Sequence, residues 1–289
     1  MRTKASLGLL LATLTSCLGD PAAHLERARE LTFQRRPTEA LRQYEEVLSL
    51  LAKKDPRRVS DVLIPTLKGA ADLCYLELKR YPRAIEYYRA LANHFPGAQE
   101  TLQARAALSD IYRALGDRRA AVAELVALVQ AFPRAPEIER YQYQVVKGYF
   151  DIGDYEQVLV EARALQERCP ASPSAADAQM LVAEALFLQG QRQRALDAFE
   201  QIAKRWPGSQ LVPQAQVEEA KVWVDLGQDE RAVEVLVEAL KSHPSPKNVQ
   251  AEIARLRKRL ASRRLTEKIE HADVWPDFHG LLPGEREAN

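Results

Sequence analysis

Small and bulky residues recur along the chain with a period of 37 residues. The small or branched positions are Ala84, Ala121, Val158, Ala195 and Ala232, and a bulky residue precedes each by nine positions, at Tyr75, Tyr112, Tyr149, Leu186 and Trp223. Leu91, Leu128, Leu165, Ile202 and Ala239 follow the small positions by seven. These spacings fit the faces of helices, so the pattern predicts a chain of similar helical hairpins.

Helix-ending residues keep the same period. Glycine lies five positions before the small residue, at Gly116, Gly153, Gly190 and Gly227, and proline lies twelve after it, at Pro96, Pro133, Pro170, Pro207 and Pro244. Glycine permits the positive φ of a tight turn between two helices. Proline has no amide proton and stops the second helix. Each period therefore encodes helix A, a turn, helix B and a stop.

These offsets resemble those of the tetratricopeptide repeat (TPR), with a bulky residue at position 11, Gly at 15, Ala at 20 and Pro at 32. The resemblance implies an all-α fold, a right-handed TPR-like α-solenoid of about six helical hairpins with a C-terminal capping helix. Lys79 replaces the glycine in the second repeat, and Leu31 and Ala40 mark a first repeat. The 44 residues from Ala40 to Ala84 place an insertion around 51–58. Pro65 and Pro213 are predicted to start helices.

The predicted organisation has five parts. They are a lipoprotein signal peptide over residues 1–16, a lipidated linker over 17–23, the TPR solenoid over 24–244, a basic capping helix over 245–271 and an irregular tail over 272–289. Val249, Ile253, Leu256, Leu260 and Ile269 give the capping helix an apolar face. Its other face carries Arg255, Arg257, Lys258, Arg259, Arg263 and Arg264, which either are solvated or contact anionic lipid or an acidic partner.

The TPR resemblance also implies where a partner binds, because helix A of each repeat lines the concave groove of such arrays. The predicted groove residues are Arg140, Tyr143, Lys147, Phe150, Met180, Glu184, Phe187 and Lys221. Apolar anchors flanked by charges suit a peptide. The alternative is that these side chains pack against the next repeat or the tail. The chain lacks the Lys/Asn pattern of carboxylate-clamp TPRs, so chaperone C-termini are not implied as ligands.

The N-terminus has the pattern of an export signal. Arg2 and Lys4 precede a ten-residue apolar run over 5–14, too short to span a membrane. Leu14-Thr15-Ser16-Cys17 resembles the bacterial lipobox, which implies diacylglyceryl transfer to Cys17, cleavage before it and N-acylation of the new terminus. The absence of Asp after this cysteine implies an outer-membrane, periplasm-facing lipoprotein under the enterobacterial sorting rule. The alternative is an ordinary signal peptide with a chance cysteine, or a buried N-terminal helix.

The composition and the absence of known catalytic motifs limit the classes of function that fit this chain. The chain is 46% hydrophobic and 28% charged with a formal net charge of +1, which fits a folded protein and argues against nucleic acid as a partner. The catalytic and phosphate-loop motifs G-x-S-x-G, H-E-x-x-H and Walker A do not occur, so we expect no enzyme activity, no metal site and no cofactor other than the covalent lipid. Cys74 and Cys169 are predicted to be buried free thiols.

The sequence therefore predicts a lipid-anchored periplasmic scaffold that binds protein partners in a cell-envelope machine. It resembles outer-membrane TPR lipoproteins of the BamD-like, CpoB-like and pilotin-like kinds, which implies service in outer-membrane assembly, the Tol-Pal system, or a pilus or motility complex. A periplasmic peptide-binding chaperone or receptor outside any fixed complex is the alternative. The oligomeric state and the particular machine stay open.

Overall fold

The computed structural model describes residues 19–271, with side chains described as far as residue 267. Lipidation of Cys17 and the irregular tail over 272–289 fall outside the described residues. The chain divides into two compact units, Met1–Arg168 and Cys169–Asn289. Every regular element between residues 19 and 271 is helical, so the predicted all-α, TPR-like α-solenoid class is confirmed.

Between residues 19 and 168, unit 1 contains four helical hairpins. Its elements are α1 (Pro21–Phe33), α2 (Pro37–Leu51), a 3₁₀ helix (Pro56–Val59), α3 (Ser60–Asp72), a π-helical turn (Leu73–Glu77), α4 (Tyr81–His94), α5 (Gln99–Ala114), α6 (Arg118–Ala131), α7 (Ile138–Asp151) and α8 (Tyr155–Arg168).

Between residues 169 and 271, unit 2 contains two hairpins followed by a longer helix. Its elements are α9 (Pro173–Leu188), α10 (Arg192–Arg205), α11 (Val212–Asp225), α12 (Asp229–Ala239) and α13 (Pro246–His271).

The turns of the first hairpin and of the last four are closed in the same way, whereas in the second the π-helical turn shifts the acceptor by one residue, from Tyr75 to Cys74. Gly116, Gly153, Gly190 and Gly227 adopt φ between 75° and 82°. The amide after the glycine donates to the carbonyl of the bulky position-11 residue, as from Asp117 N to Tyr112 O at 2.9 Å. This is the Schellman arrangement, which satisfies carbonyls that the end of helix A leaves free. In the first two hairpins Arg35 and Lys79 occupy the glycine position, with φ of 56° and 54°.

The repeat columns form the core. The position-20 residues Ala84, Val158, Ala195 and Ala232 are fully buried, and Ala121 is 6% exposed. The five residues seven positions later are also fully buried. Each buried Leu or Ile among them contributes about 1.5–3 kcal/mol by removal from water. Small residues at the first column let helices A and B approach, and large ones at the second fill the space between neighbouring hairpins.

Two predicted boundaries differ from the structure. The first helix begins at Pro21, inside the segment 17–23 that was predicted to be a linker, because Asp20 caps it by accepting a hydrogen bond from Ala22 N at 3.1 Å. Pro65 lies inside α3 and does not start it. The inserted segment folds as the 3₁₀ helix Pro56–Val59, which leads directly into α3 and moves the helix start to Ser60.

The final helix α13 covers the last hairpin. Val249, Ile253 and Leu256 are buried against Ala220 and Leu236. The basic residues of α13 are only partly solvated, because Arg259 and Arg263 pair with the buried carboxylate of Asp229, and Arg264 lies 3.7 Å from Glu230. Arg255 pairs with Glu252 on the same helix. Much of the basic face therefore serves to attach α13 to the first turn of α12.

Candidate partner-binding grooves

Unit 1 contains a cavity of about 440 Å³ between α5, α6 and α7. Two consecutive A helices, α5 and α7, form its walls, and α6 forms its floor. It therefore lies where the TPR resemblance places a partner. The lining residues are Ser109, Arg113, Arg118, Ala121, Val122, Leu125, Gln144, Lys147, Gly148 and Asp151.

The cavity walls are basic over an apolar floor. Three of the lining residues are cationic and only Asp151 is acidic. Arg113 pairs with Asp110, and Arg118 donates to the backbone carbonyl of Asp151 at 3.3 Å. Lys147 is exposed and has no ion pair among the described residues. The cavity thus offers a cation beside an apolar surface, which fits an acidic group next to an apolar side chain.

Gly148 allows helix α7, one wall of the cavity, to lie close to helix α6, its floor. A β-carbon at this position would lie 2.4 Å from Val122 Cγ2, which is closer than real carbon atoms approach. The glycine therefore lets α7 pack directly against α6. A larger residue would push the wall that carries Lys147 away from the floor.

Unit 2 contains a smaller cavity of about 270 Å³ between α11, α12 and α13. Ala220, Val224 and Leu236 line it at the positions equivalent to Ser109, Arg113 and Leu125, three 37-residue periods later. Its two cations are neutralised locally, since Lys221 pairs with Glu218 at 2.5 Å and Arg255 with Glu252. This cavity is therefore mainly apolar and lacks the charge imbalance of the one in unit 1.

The predicted groove residues of unit 1 all lie on α7. Arg140 is exposed and pairs with Glu137 at 3.3 Å, and Tyr143 is half-buried. Phe150 is half-buried with its ring centroid 5.7 Å from that of Tyr155 on α8. Phe150 therefore contributes to the contact between α7 and α8, the two helices of its own hairpin. Of this set, Lys147 alone lines the cavity.

The predicted groove residues of unit 2 lie on α9 and α11. Met180, Glu184 and Phe187 are half-buried and Lys221 is exposed. Burial raises the pKa of Glu184, the nearby Glu218 carboxylate adds to the rise, and Lys221 opposes it. Lys221 lines the smaller cavity. Binding by any of the eight predicted residues remains a prediction.

Sequence reasoning missed part of the site in unit 1. Ser109, Arg113 and Arg118 line the cavity but were not predicted, because the groove positions were carried over only from the fourth repeat onward. Arg113 lies exactly one period before Phe150, so the same rule applied to the third repeat identifies it. Arg118 follows the turn glycine and reaches the cavity through its long side chain, which the repeat pattern does not encode.

Other kinds of site receive no support within the described part of the chain. No group of three or more His, Cys, Asp or Glu side chains there is arranged to hold a metal ion. No helix there combines the length and apolar character needed to cross a membrane. Cys74 is buried as predicted, but Cys169 is half-buried because it lies in the loop immediately after α8.

Comparison with known proteins supports the repeat assignment. A family model described as "Tetratricopeptide repeat" matches residues 73–98 and 177–209, one stretch in each unit. These two stretches therefore resemble tetratricopeptide repeats in sequence. No curated protein sequence matches it significantly.

Solved structures resemble the chain at the level of the fold. A structure of Naa15/Naa10 bound to HypK-THB aligns with a TM-score of 0.54 at 14% identity, covering 87% of this chain and 36% of that one. YrrB, a TPR protein with an unusual peptide-binding site, aligns with a TM-score of 0.47 at 16% identity over 71% of this chain and 96% of that one. A TPR protein from Parabacteroides merdae aligns at 0.38 and 17% identity, covering 82% and 84%. Such identities bear on the fold alone.

Proposed function

We propose that this protein is a lipid-anchored periplasmic adaptor that uses its TPR grooves to bind a protein partner in a cell-envelope machine. The observation that carries the binding role is the cavity between α5, α6 and α7, with three cations above an apolar floor. Proteins built from TPR repeats are in general non-catalytic scaffolds, so the proposed role is binding and not catalysis.

The cavity favours an extended or helical segment that carries a carboxylate next to an apolar side chain. Lys147 supplies an exposed cation at the rim, and Ala121, Val122 and Leu125 supply the apolar surface below. A charge-assisted contact at the rim fixes the direction of the segment, and burial of its apolar side chain supplies affinity. Outer-membrane assembly, the Tol-Pal system, and a pilus or motility complex are the proposed settings.

Anchoring is proposed from the sequence of the N-terminus. The short basic start, the apolar run over 5–14 and Cys17 in a lipobox-like context together support lipidation and an outer-membrane location facing the periplasm. Two or more acyl chains give lasting membrane attachment. The adaptor would then present its grooves close to the membrane surface.

Charge reversal in the cavity tests the binding role. Tagged full chain is purified from gently solubilised membranes of its native host, and co-purified proteins are identified by mass spectrometry. Arg113→Glu with Lys147→Glu should lose a stoichiometric partner that wild type retains. Charge is preferred to the substitution of Phe150, because Phe150 also packs on Tyr155.

Arg134→Glu with Arg163→Glu is the matched control, since both residues are exposed in unit 1 and neither lines the cavity. The control should keep the partner and a wild-type circular dichroism spectrum. Equal recovery of the partner by the cavity variant would refute binding at this site. A heterogeneous client mixture in place of a defined partner would favour the chaperone alternative.

Substitution of the anchoring cysteine tests the location separately. Cys17→Ala should release the protein from the membrane pellet into the soluble periplasmic fraction, while Cys74→Ala should stay in the pellet. Retention of the Cys17→Ala protein in the membrane fraction would contradict lipid anchoring without bearing on the cavity.

A further inference from the structure

Two hairpin turns of unit 1 place a base where the backbone favours glycine. Arg35 and Lys79 adopt φ of 56° and 54°, at the positions equivalent to Gly116 and Gly153 of the next two hairpins. A side chain in this left-handed region is unfavourable relative to glycine. Residues held in such a conformation at the cost of stability are candidates for a functional role. Both side chains are exposed, and neither has an ion pair among the described residues.

The same edge of unit 1 carries exposed apolar side chains. Phe33 is 90% exposed, Leu76 57% and Leu115 53%, and each lies just before the turn of one of the first three hairpins. They are three of the five large hydrophobic residues exposed in the described part of unit 1. Exposed apolar residues aligned along one edge are typical of an interaction surface. We call these three residues and the bases that follow them the turn edge.

The bases of the turn edge come as adjacent pairs after each apolar residue. The pairs are Arg35 with Arg36, Lys79 with Arg80, and Arg118 with Arg119. Arg36 pairs with Glu39, and Arg118 donates to the backbone of Asp151. The other four have no ion pair within residues 19–267.

The acidic residues at these turns do not cancel the bases. Glu77 and Asp117 are the carboxylates within the first three turns, and Asp117 caps α6 by accepting from Ala120 N at 3.0 Å. The fourth turn reverses the pattern, since Asp151, Asp154 and Glu156 lie there without a base. Within unit 1, the positive, apolar surface is thus confined to the first three hairpins.

We propose that the turn edge binds an acidic amphipathic helix of a protein partner. Neighbouring packed helices are separated by about 8–10 Å, which sets the approximate spacing of successive hairpin turns. A partner helix advances about 10.5 Å in seven residues, so side chains at every seventh position meet successive apolar tips. Carboxylates on either side of that stripe meet Arg35, Lys79, Arg80 and Arg119. This surface is distinct from the cavity between α5, α6 and α7.

A protein is preferred to the anchoring membrane for a geometric reason, which rests on the proposed lipid at Cys17. Helix α1 spans 13 residues, or about 20 Å, from Pro21 to the turn edge at Phe33. The four residues from Cys17 to Pro21 span at most about 14 Å. The lipid would therefore attach the opposite edge of the first hairpin to the bilayer, and the turn edge would face away from it.

The probe is a synthetic 21-residue helix with leucine at every seventh position and glutamate on both sides of that stripe. Its control has lysine in place of each glutamate. Full-length protein in a mild detergent is titrated with each labelled peptide by fluorescence anisotropy. Wild type should bind the acidic peptide and not the basic one. Equal binding of the two peptides, or none, would overturn the proposal.

Arg35→Gly with Lys79→Gly separates function from stability. This variant should bind the acidic peptide about three- to tenfold more weakly, because two exposed ion pairs are lost. It should also melt about 2–4 °C higher, because glycine relieves two left-handed residues. Arg134→Gln with Arg163→Gln removes the same charge elsewhere in unit 1 and should change neither value. Undiminished peptide affinity in the glycine variant would refute the role of these bases.

A second variant and a vesicle assay test the remaining elements. Phe33→Ser with Leu115→Ser should weaken peptide binding at unchanged melting temperature, since both side chains are exposed. If the Cys17→Ala chain instead binds phosphatidylglycerol vesicles through Arg35 and Lys79 and ignores the acidic peptide, the edge is a membrane-binding surface and the proposal of a protein partner is wrong.

Discussion

The attachment of α13 to the last hairpin gives a quantitative prediction centred on Asp229. Its carboxylate is fully buried, accepts hydrogen bonds from Arg259 Nε at 2.7 Å and from a second nitrogen of the same guanidinium, and forms an ion pair with Arg263 at 3.0 Å. Asp229→Ala removes the acceptor of both hydrogen bonds and the anion of the ion pair with Arg263. The two arginines then remain against α12 without a counterion.

The magnitude follows from the exposure of the partners. Breaking a fully buried ion pair costs about 3–5 kcal/mol, and breaking an exposed one about 0–1 kcal/mol. The arginine side chains are 38% and 52% exposed, so water partly replaces the lost carboxylate. We therefore expect Asp229→Ala to lower the free energy of unfolding of unit 2 by about 1.5–3 kcal/mol.

Urea unfolding followed by tryptophan fluorescence measures this loss selectively. The three tryptophans are Trp206, Trp223 and Trp275, all within unit 2, so the signal does not report on unit 1. Glu230→Ala is the matched control, because Glu230 also lies in the first turn of α12 but pairs with Arg264 at 3.7 Å with both side chains exposed. We expect the control to cost about 0.5 kcal/mol or less. If the two variants lost equal stability, the buried pair would not be what holds α13 in place.

Two further predictions concern the core of unit 2. Burial raises the pKa of Glu219, and the hydrogen bond from Trp223 Nε1 opposes the rise. The proton bound to Glu219 therefore stabilises the fold fully below the unfolded-state pKa near 4.5. This stabilisation is lost as pH rises through the folded-state pKa. Glu219→Gln, which mimics the protonated acid, should therefore raise the melting temperature at pH 7 and converge with wild type near pH 4; a pH-independent difference would contradict this account. Ala195→Trp should lower the free energy of unfolding, measured in urea, by about 1–3 kcal/mol or more, because Ala195 on α10 is fully buried. The same change at the exposed Gln193 on this helix should lower it little.

The hairpins and their core were predictable because each requirement is local and repeated. Four glycines at one period mark four turns, and the structure gives each of them positive φ. The buried columns at Leu128 and Ile202 follow from their spacing to those glycines. A repeat protein presents the same evidence several times, so errors in one period are corrected by the others.

Features that depend on a single place in the chain were not predictable in the same way. The 3₁₀ helix over Pro56–Val59 extends α3 and leaves Pro65 inside it, although proline usually marks a first turn. The pairing of Arg259 with Asp229 joins the non-repeating helix α13 to the last hairpin, across 30 residues of sequence. The basic character of the unit 1 cavity depends partly on Arg118, the first residue of α6, and its reach is a matter of side-chain length and rotamer.

Helix α13 follows the last hairpin of unit 2 as a single helix, and it determines which surface this hairpin leaves exposed. Without α13, the last hairpin would expose the apolar face that every earlier hairpin buries against its successor. The first hairpin of another molecule could then stack on it. Here α13 covers that face with Val249, Ile253 and Leu256. The ion pairs of Arg259 and Arg263 with the buried carboxylate of Asp229 hold α13 in this position. Head-to-tail growth of the array into filaments is thereby blocked at this end.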